Sequence, residues 1–470
     1  MRGLTGNLRT KIVLAALAAA LPSLALAHSA DRGFVLLLPT GHYMIGGAIA
    51  VALSFVVLVF APAGPLATAW EKALPMARAP RRGRTAVSFA GFALFWLLVA
   101  AGFFGSGDPL SNPLPLVFWT PFWVGLTMIQ GLLGDAWRWI NPWYGPYRLV
   151  SRLTGPAAPL ALPRWMSCWP AVALLFGFAW FELVYPAPDD PARLAVVLAV
   201  YWLVSFAGML LFGYEAWADR VEFLSVFFGI VARLSILDRD GDSGRIALRL
   251  PGGKLADAGW LPPAGTLFLL LALSTVSFDG LMRTFFWAGI AGYNPLEYPG
   301  RTAVIASSTL GLAAMFVALS AAFLAAVWIG GRMSGDRVGL AEAAGRLVWS
   351  IVPIALAYHF SHYIAAFLVD GQYALAAISD PLSTGLNLFG TAGFHVYAGI
   401  LAGPNAAWVI WNLQAVAIVG GHMLAVLISH IIAYRIHSTP DRASIGQIPL
   451  AVLMVLYTLF GLWLLASPTV

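Results

Sequence analysis

About ten stretches of some 20 mostly apolar residues recur along this chain, from residue 43 to residue 466, with no long polar block between them. Such a run matches the roughly 30 Å hydrocarbon core of a bilayer as a helix, because only a helix or a closed barrel satisfies every backbone N–H and C=O away from water. Composition agrees with that reading. The chain is 60% hydrophobic and 10% charged, where an average soluble domain is about 25% charged. The expected fold class is all-α, a polytopic transmembrane helix bundle. Its spans are placed at 43–62, 86–104, 114–134, 166–185, 194–213, 263–288, 303–330, 347–369, 405–433 and 446–466.

Charge sorts the connecting segments into two kinds. The segments "EKALPMARAPRRGRT", 135–165 (Arg138, Arg148, Arg152, Arg164), 214–262 (Arg239, Arg245, Arg249, Lys254), "GRMSGDR" and "YRIHSTPDR" are basic. Their alternates, "GSGDPLSNP", "PAPDDPA" and 370–404, carry no Lys or Arg, and only Arg301 intrudes in "GYNPLEYPGR". By the positive-inside rule the basic segments are expected to be cytoplasmic and both termini of the bundle to lie outside the cytoplasm. "VEFLSVFFGIVARLSIL" cannot span without inverting everything after it, so an interfacial helix is expected near 220–236. The net charge of +6 is spread over these segments, which speaks against a nucleic-acid partner. The aromatic pieces "DAWRWINPWYGPYRL" and "FGYEAWADRVEF" fall at span ends, as interface anchors do.

The N-terminus reads separately. Arg2, Arg9 and Lys11 precede the apolar "IVLAALAAALPSL", and Ala25-Leu26-Ala27 offers a cleavage site, so residues 1–27 are expected to be a signal peptide and 28–470 one integral membrane domain. Cleavage there would make His28 the first residue, whose α-amine and imidazole, with His42, form a copper-type chelate. A single cysteine, Cys168, excludes an intrachain disulfide, a CxxC pair and a CxxCH haem site.

Against this apolar background the polar residues inside spans stand out. "YHFSHY" places His359 and His362 about 18 and 23 Å from the basic end of their span, on one face about 60° apart. The next span carries Gln414, His422 and His430 in "WNLQAVAIVGGHMLAVLISH", with His422 at a depth like that of His359. Asp279 in "STVSFDGLMRTFF" falls near mid-membrane by the same count, and Arg283 follows one turn on. His395 and His42 stand at outer ends. Ionisable residues within spans are costly and mark functional sites.

Three chemistries suit this set. Imidazoles with a carboxylate hold zinc, copper or iron, and a metal with an open position activates water for hydrolysis. Paired histidines hold haem, with electrons passing to quinone. Histidines along a path relay protons or a metal ion. No HExxH, GxSxG or phosphate loop selects among them.

The stretches "PIALAYHFSHYIAAFLVDGQ", "SDPLSTGLNLFGT", "WNLQAVAIVGGHMLAVLISH", "STVSFDG" and "GDAWRWINPW", with the "ALAHS" start, resemble a family of bacterial polytopic membrane proteins labelled fenitrothion hydrolase. The resemblance implies hydrolysis of an apolar aryl dialkyl phosphorothioate, met from the lipid phase, and points to His359, His362, Gln414, His422 and His430. It departs at Ile431, where an Asp often stands in the family. On this reading His359, His362 and His422 hold a divalent metal, Asp279 is a fourth ligand or general base, Arg283 stabilises the phosphoryl oxygen, and Gln414 and His430 bind cofactor. The alternative is a non-enzymatic subunit, working beside a partner subunit, that binds haem or quinone or handles copper through His28.

Overall fold

The computed structural model describes residues 38–61, 63–78, 83–155, 158–239, 244–297, 300–336 and 338–468. The expected signal peptide and His28 lie outside the described residues. Among those described, nine helices are long and apolar enough to cross a membrane, and the apolar helix Trp169–Leu183 is shorter. Together they fall where the spans were expected, and we label them in chain order: α1 (Thr40–Phe60), α2 (Arg84–Phe104), α3 (Pro113–Leu133), α4 (Trp169–Leu183), α5 (Pro191–Phe212), α6 (Pro263–Met282), α7 (Ile305–Ser334), α8 (Ile351–Ala377), α9 (Pro404–Ile436) and α10 (Pro440–Ala466). The protein is an all-α polytopic bundle of membrane-spanning type.

Helix starts follow local chemistry. The helices α3, α5, α6, α9 and α10 begin on proline, which lacks the N–H that a first turn cannot use. Asn112 and Asp190 cap α3 and α5, their side chains accepting from the N–H groups of Leu114 and Arg193. The most buried span is α6, with 72% of its apolar window inside the protein against 17% for α1. It packs on α4, α7 and α8, and α8 in turn lies along α9. Within α3, residues 118–126 form a π-helical stretch around Pro121, whose missing N–H disrupts the regular ladder.

The spans were expected to run on to 288 at α6, but α6 stops at Met282. Thr284 caps a new short helix, Phe285–Ala291, by accepting from the Trp287 N–H. Asp279 therefore lies in the last turn of α6, not near its middle.

The expected helix near 220–236 is Phe223–Val231 followed by a tight turn at Ala232–Leu234. Protein covers it: Phe223, Leu224, Phe228, Ile230 and Val231 are buried, and Phe223 and Phe227 lie 5.1 Å from Phe178 and Trp123 respectively. Its N-terminus is held by Glu222, fully buried, which accepts from the Leu224 and Ser225 N–H groups and from the Tyr201 hydroxyl. The segment enters the bundle from the end where α5 finishes, turns at Glu222 beside the middle of α5, and returns to pack Leu234 near Ile428 of α9.

One end of the bundle collects the basic segments, and we call it the basic end. There a small antiparallel sheet of Leu74–Arg78, Arg245–Leu248 and Leu237–Arg239, ordered with Arg245–Leu248 in the middle, joins two of the loops. Arg435 of α9 binds Glu71, Asp257 and the Ala256 carbonyl. Asp336 accepts from Arg442 at 2.7 Å and from His437 at 2.9 Å, and these bonds hold its carboxyl well below the usual carboxylate range. The opposite, far end carries residues 378–403.

Close helix approach rests on glycine. A Cβ on Gly330 of α7 would stand 2.1 Å from the Gly446 carbonyl oxygen of α10, whereas one on Gly331 would meet nothing within 4 Å. Gly330→Val should therefore lower stability by about 1–3 kcal/mol or block assembly, and Gly331→Ala should leave the thermal midpoint unchanged or slightly raised; melts in detergent check both. A second expectation concerns pH. Because folding lowers the Asp336 pKa, its contribution is complete above about pH 4 and is lost as pH falls further. Asp336→Asn should melt below the parent at pH 7, and the gap should close on acidification.

Candidate functional site

Asp279 anchors the polar layer. It is 1% exposed, and its carboxylate accepts from three side chains. Arg283, one turn on, donates through Nε at 2.9 Å and Nη2 at 2.8 Å, both to Oδ1. His362 Nε2 lies 2.6 Å from Oδ2, and the Tyr363 hydroxyl lies 2.9 Å from the same oxygen. Arg283 and His362 reach it from the cavity side, with side chains 48% and 12% exposed. One carboxylate beside one guanidinium makes the cluster neutral, so the imidazole needs no charge to be accommodated. In that state Nε2–H donates to Asp279 and Nδ1 keeps its lone pair.

The same Tyr363 hydroxyl lies 3.1 Å from Glu182 Oε1, in the last turn of α4. Two cavities meet the layer from opposite sides. The larger, of about 370 Å³, is lined by Arg283, His362, Asp370, Trp411, Gln414 and, from the far-end segment, Leu401. Its size falls in the range of small-molecule sites, about 300–1,000 Å³. The smaller, of about 40 Å³, is lined by Glu182, His359 and Tyr363 and reaches Thr127, Leu269 and Val352 toward the basic end. At roughly 10–15 Å³ for each water it has room for a few waters.

The sequence-predicted residues divide among these places. Asp279, Arg283 and His362 are brought together; His359 and His422 are not. His359 faces the smaller cavity, 5.6 Å from the Trp123 ring and 4.8 Å from Tyr363, with Nε2 unpartnered. His422 is held by its Nδ1 to the Ile418 carbonyl at 2.8 Å and lies between Tyr358 and Tyr457. The expected three-histidine metal site is therefore not assembled: among the described residues, no three His, Cys, Asp or Glu side chains lie close enough to hold a metal ion. Nor does Asp279 have a free lone-pair face as a fourth ligand or base, since its donors already occupy both oxygens.

Gln414 lines the larger cavity while its Nε2 donates to the Ser361 carbonyl at 2.7 Å, and Ser361 Oγ donates back to the Gln414 carbonyl at 3.1 Å. These reciprocal bonds clamp α8 to α9 beside His362. His430 packs against Tyr434 with ring centres 4.6 Å apart and the rings tilted, toward the basic end, within reach of Gln447 and Ala61 but without a well-formed hydrogen bond. His42 and His395 are exposed. Two members of the layer, Glu182 and Tyr363, were not singled out from the sequence. Tyr363 is the final letter of "YHFSHY", and Glu182 in "FAWFELVYP" reads as an ordinary polar span end.

No protein-family model, curated protein or solved structure matches this chain. Asp279→Ala would strand donors from Arg283, His362 and Tyr363, so we expect a loss on the order of 2 kcal/mol, with part regained in the double variant Asp279→Leu/Arg283→Met, where the unpaired cation is also gone. Thermal melts of the three proteins in one detergent test this; a single variant as stable as the parent would remove the cluster's structural role.

Proposed function

We propose that the protein is a bacterial inner-membrane hydrolase with its basic end in the cytoplasm, whose larger cavity opens toward the periplasm and takes an apolar, neutral phosphotriester. The observation that carries this reading is the His362–Asp279 pair at 2.6 Å beside Arg283 in a cavity of about 370 Å³. The orientation rests on the Arg and Lys distribution. The substrate class rests on the apolar part of the lining, with Val276, Ile410, Trp411 and Leu464, and on the family resemblance.

In this mechanism Asp279 orients the ring by accepting from Nε2, and His362 Nδ1 takes a proton from a water in the cavity. The water oxygen bonds to phosphorus as the bond to the aryloxide breaks. The aryloxide leaves as an anion and needs no acid. Arg283 donates toward the phosphoryl or thiophosphoryl group as charge builds there. Base and electrophile are both supplied by side chains, so the divalent zinc, copper or iron of the sequence reading is not required for this step. Paired-histidine haem finds less support, since His359 and His362 line different cavities and the one at His359 is a few waters in size.

The test is release of nitrophenolate from a dialkyl nitrophenyl phosphotriester by detergent-purified protein. His362→Gln should lower kcat by about 10²-fold or more, Arg283→Gln should lower it too, and a chelator should leave it intact. Activity lost to the chelator and restored by zinc would return the metal-dependent reading. A parent protein no faster than buffer would end the hydrolase reading.

A further inference from the structure

The two cavities lie on opposite sides of one hydrogen-bonded chain. Starting from the larger cavity, His362 contacts Asp279 at 2.6 Å, Asp279 contacts Tyr363 at 2.9 Å, and Tyr363 contacts Glu182 at 3.1 Å, where the smaller cavity begins. We infer that these four residues conduct protons between the cavities, giving the protein a proton-transfer activity that does not depend on ester hydrolysis.

The hydrogen count at Tyr363 carries the argument. A phenol has one proton, yet its oxygen is within hydrogen-bond distance of two carboxyl groups. It donates to one of them, and the other contact is a hydrogen bond only when that carboxyl carries a proton of its own. Asp279 already accepts from Arg283 and His362, so the proton resides on Glu182, which donates to the tyrosine oxygen while the tyrosine donates to Asp279. Removing that proton from Glu182 reverses the tyrosine's donation. The bridge thus has two arrangements that differ by one proton.

Transfer in the inward direction balances as follows. A proton from water in the larger cavity bonds to His362 Nδ1, and the Nε2–H bond breaks as that proton passes to Asp279 Oδ2. Asp279 hands a proton to the Tyr363 oxygen while the phenolic O–H bond breaks toward an empty Glu182 Oε1. Glu182 releases its proton to water in the smaller cavity. One proton enters, one leaves, and rotation of the hydroxyl with a change of imidazole tautomer resets the chain.

Other titratable and charged groups flank the chain. Arg283 faces Asp279 from α6, and Arg301 binds the carbonyls of Glu182 and Tyr185 at 2.9 and 3.2 Å. His359 on α8 flanks Tyr363, and Asp370 stands in the larger cavity. Beyond Glu182 the smaller cavity is lined mainly by apolar groups such as Leu175, Phe227, Ile230 and Leu269. A narrow apolar cavity that holds only a few waters limits flux by its wetting.

A passive packing role for Tyr363 predicts no conduction, which sets the experiment. The full-length protein is reconstituted in liposomes containing a pH-sensitive dye, and an inward proton-motive force is imposed as a potassium diffusion potential with valinomycin. Acidification faster than in empty liposomes is expected, reduced to the empty-liposome rate in Tyr363→Phe and Glu182→Gln and partly kept in Glu182→Asp. Elution and melting are followed for each variant; Tyr363→Phe keeps the ring and removes only the hydroxyl, so it decides the matter if Glu182→Gln does not fold. Parent protein no faster than empty liposomes, or a folded Tyr363→Phe that conducts like the parent, overturns the inference. Glu182 takes no part in the proposed ester chemistry, so hydrolysis that persists in Glu182→Gln while conduction is lost separates the two readings.

Discussion

Burying the charge of Asp279 is the constraint to which the rest of the bundle is fitted. An ionised carboxylate without partners in an apolar interior costs many kcal/mol, and it becomes tolerable only when opposite charge and hydrogen bonds replace water. Here the replacement comes from two helices. Arg283 is four residues along on the same chain, so it arrives with α6 itself. His362 and Tyr363 arrive from α8, which must therefore lie against the last turn of α6 in one register. The most buried span and the span carrying His359 and His362 are consequently tied at one point, and the two cavities form on either side of that tie.

Glu222 solves the same problem by other means. No cation stands within bonding distance among its hydrogen-bond partners; instead its carboxyl accepts from two backbone N–H groups at the start of Phe223–Val231 and from the Tyr201 hydroxyl. The first N–H groups of a helix have no partner within it and carry partial positive charge, so an acidic cap meets both needs together. That cap allows a chain reversal inside the bundle. It also explains why a segment with the apolar content of a surface-lying helix packs between spans: Phe223, Phe227 and Phe228 find aromatic partners on α3, α4 and α5.

The spans were legible because run length is a local signal: each expected run holds a helix, although α6 ends before its run does. The polar layer was legible only in part. Asp279, Arg283 and His362 advertised themselves as ionisable groups in apolar runs, whereas Glu182 near a span end and Tyr363 beside a histidine did not. Depth matching failed for His359 and His422 because depth says nothing about azimuth on a helix buried all round. A rotation of about 60° between His359 and His362 is harmless on a helix with one buried face. On α8, with α3, α6 and α9 packed around it, the same rotation moves a ring from one cavity to the other. Conservative counting of depth also misplaced Asp279, since the Thr284 cap that ends α6 early is one hydroxyl in an otherwise helical pattern.

The exception in the charge pattern now has a cause. Arg301 was the one basic residue in a far-end loop that the alternation did not explain, and its guanidinium donates to the carbonyls of Glu182 and Tyr185, where α4 finishes. Arg283 is likewise the residue that closes α6. Both arginines thus stand at helix C-termini, where unsatisfied carbonyls and the negative end of the macrodipole favour a cation. They are there because α4 and α6 are short, at 15 and 20 residues against 27 for α8 and 33 for α9. Two truncated helices beside two long ones leave a recess at the far end, into which Arg283 projects, while Asp279 and Glu182 close the last turns of α6 and α4 behind it.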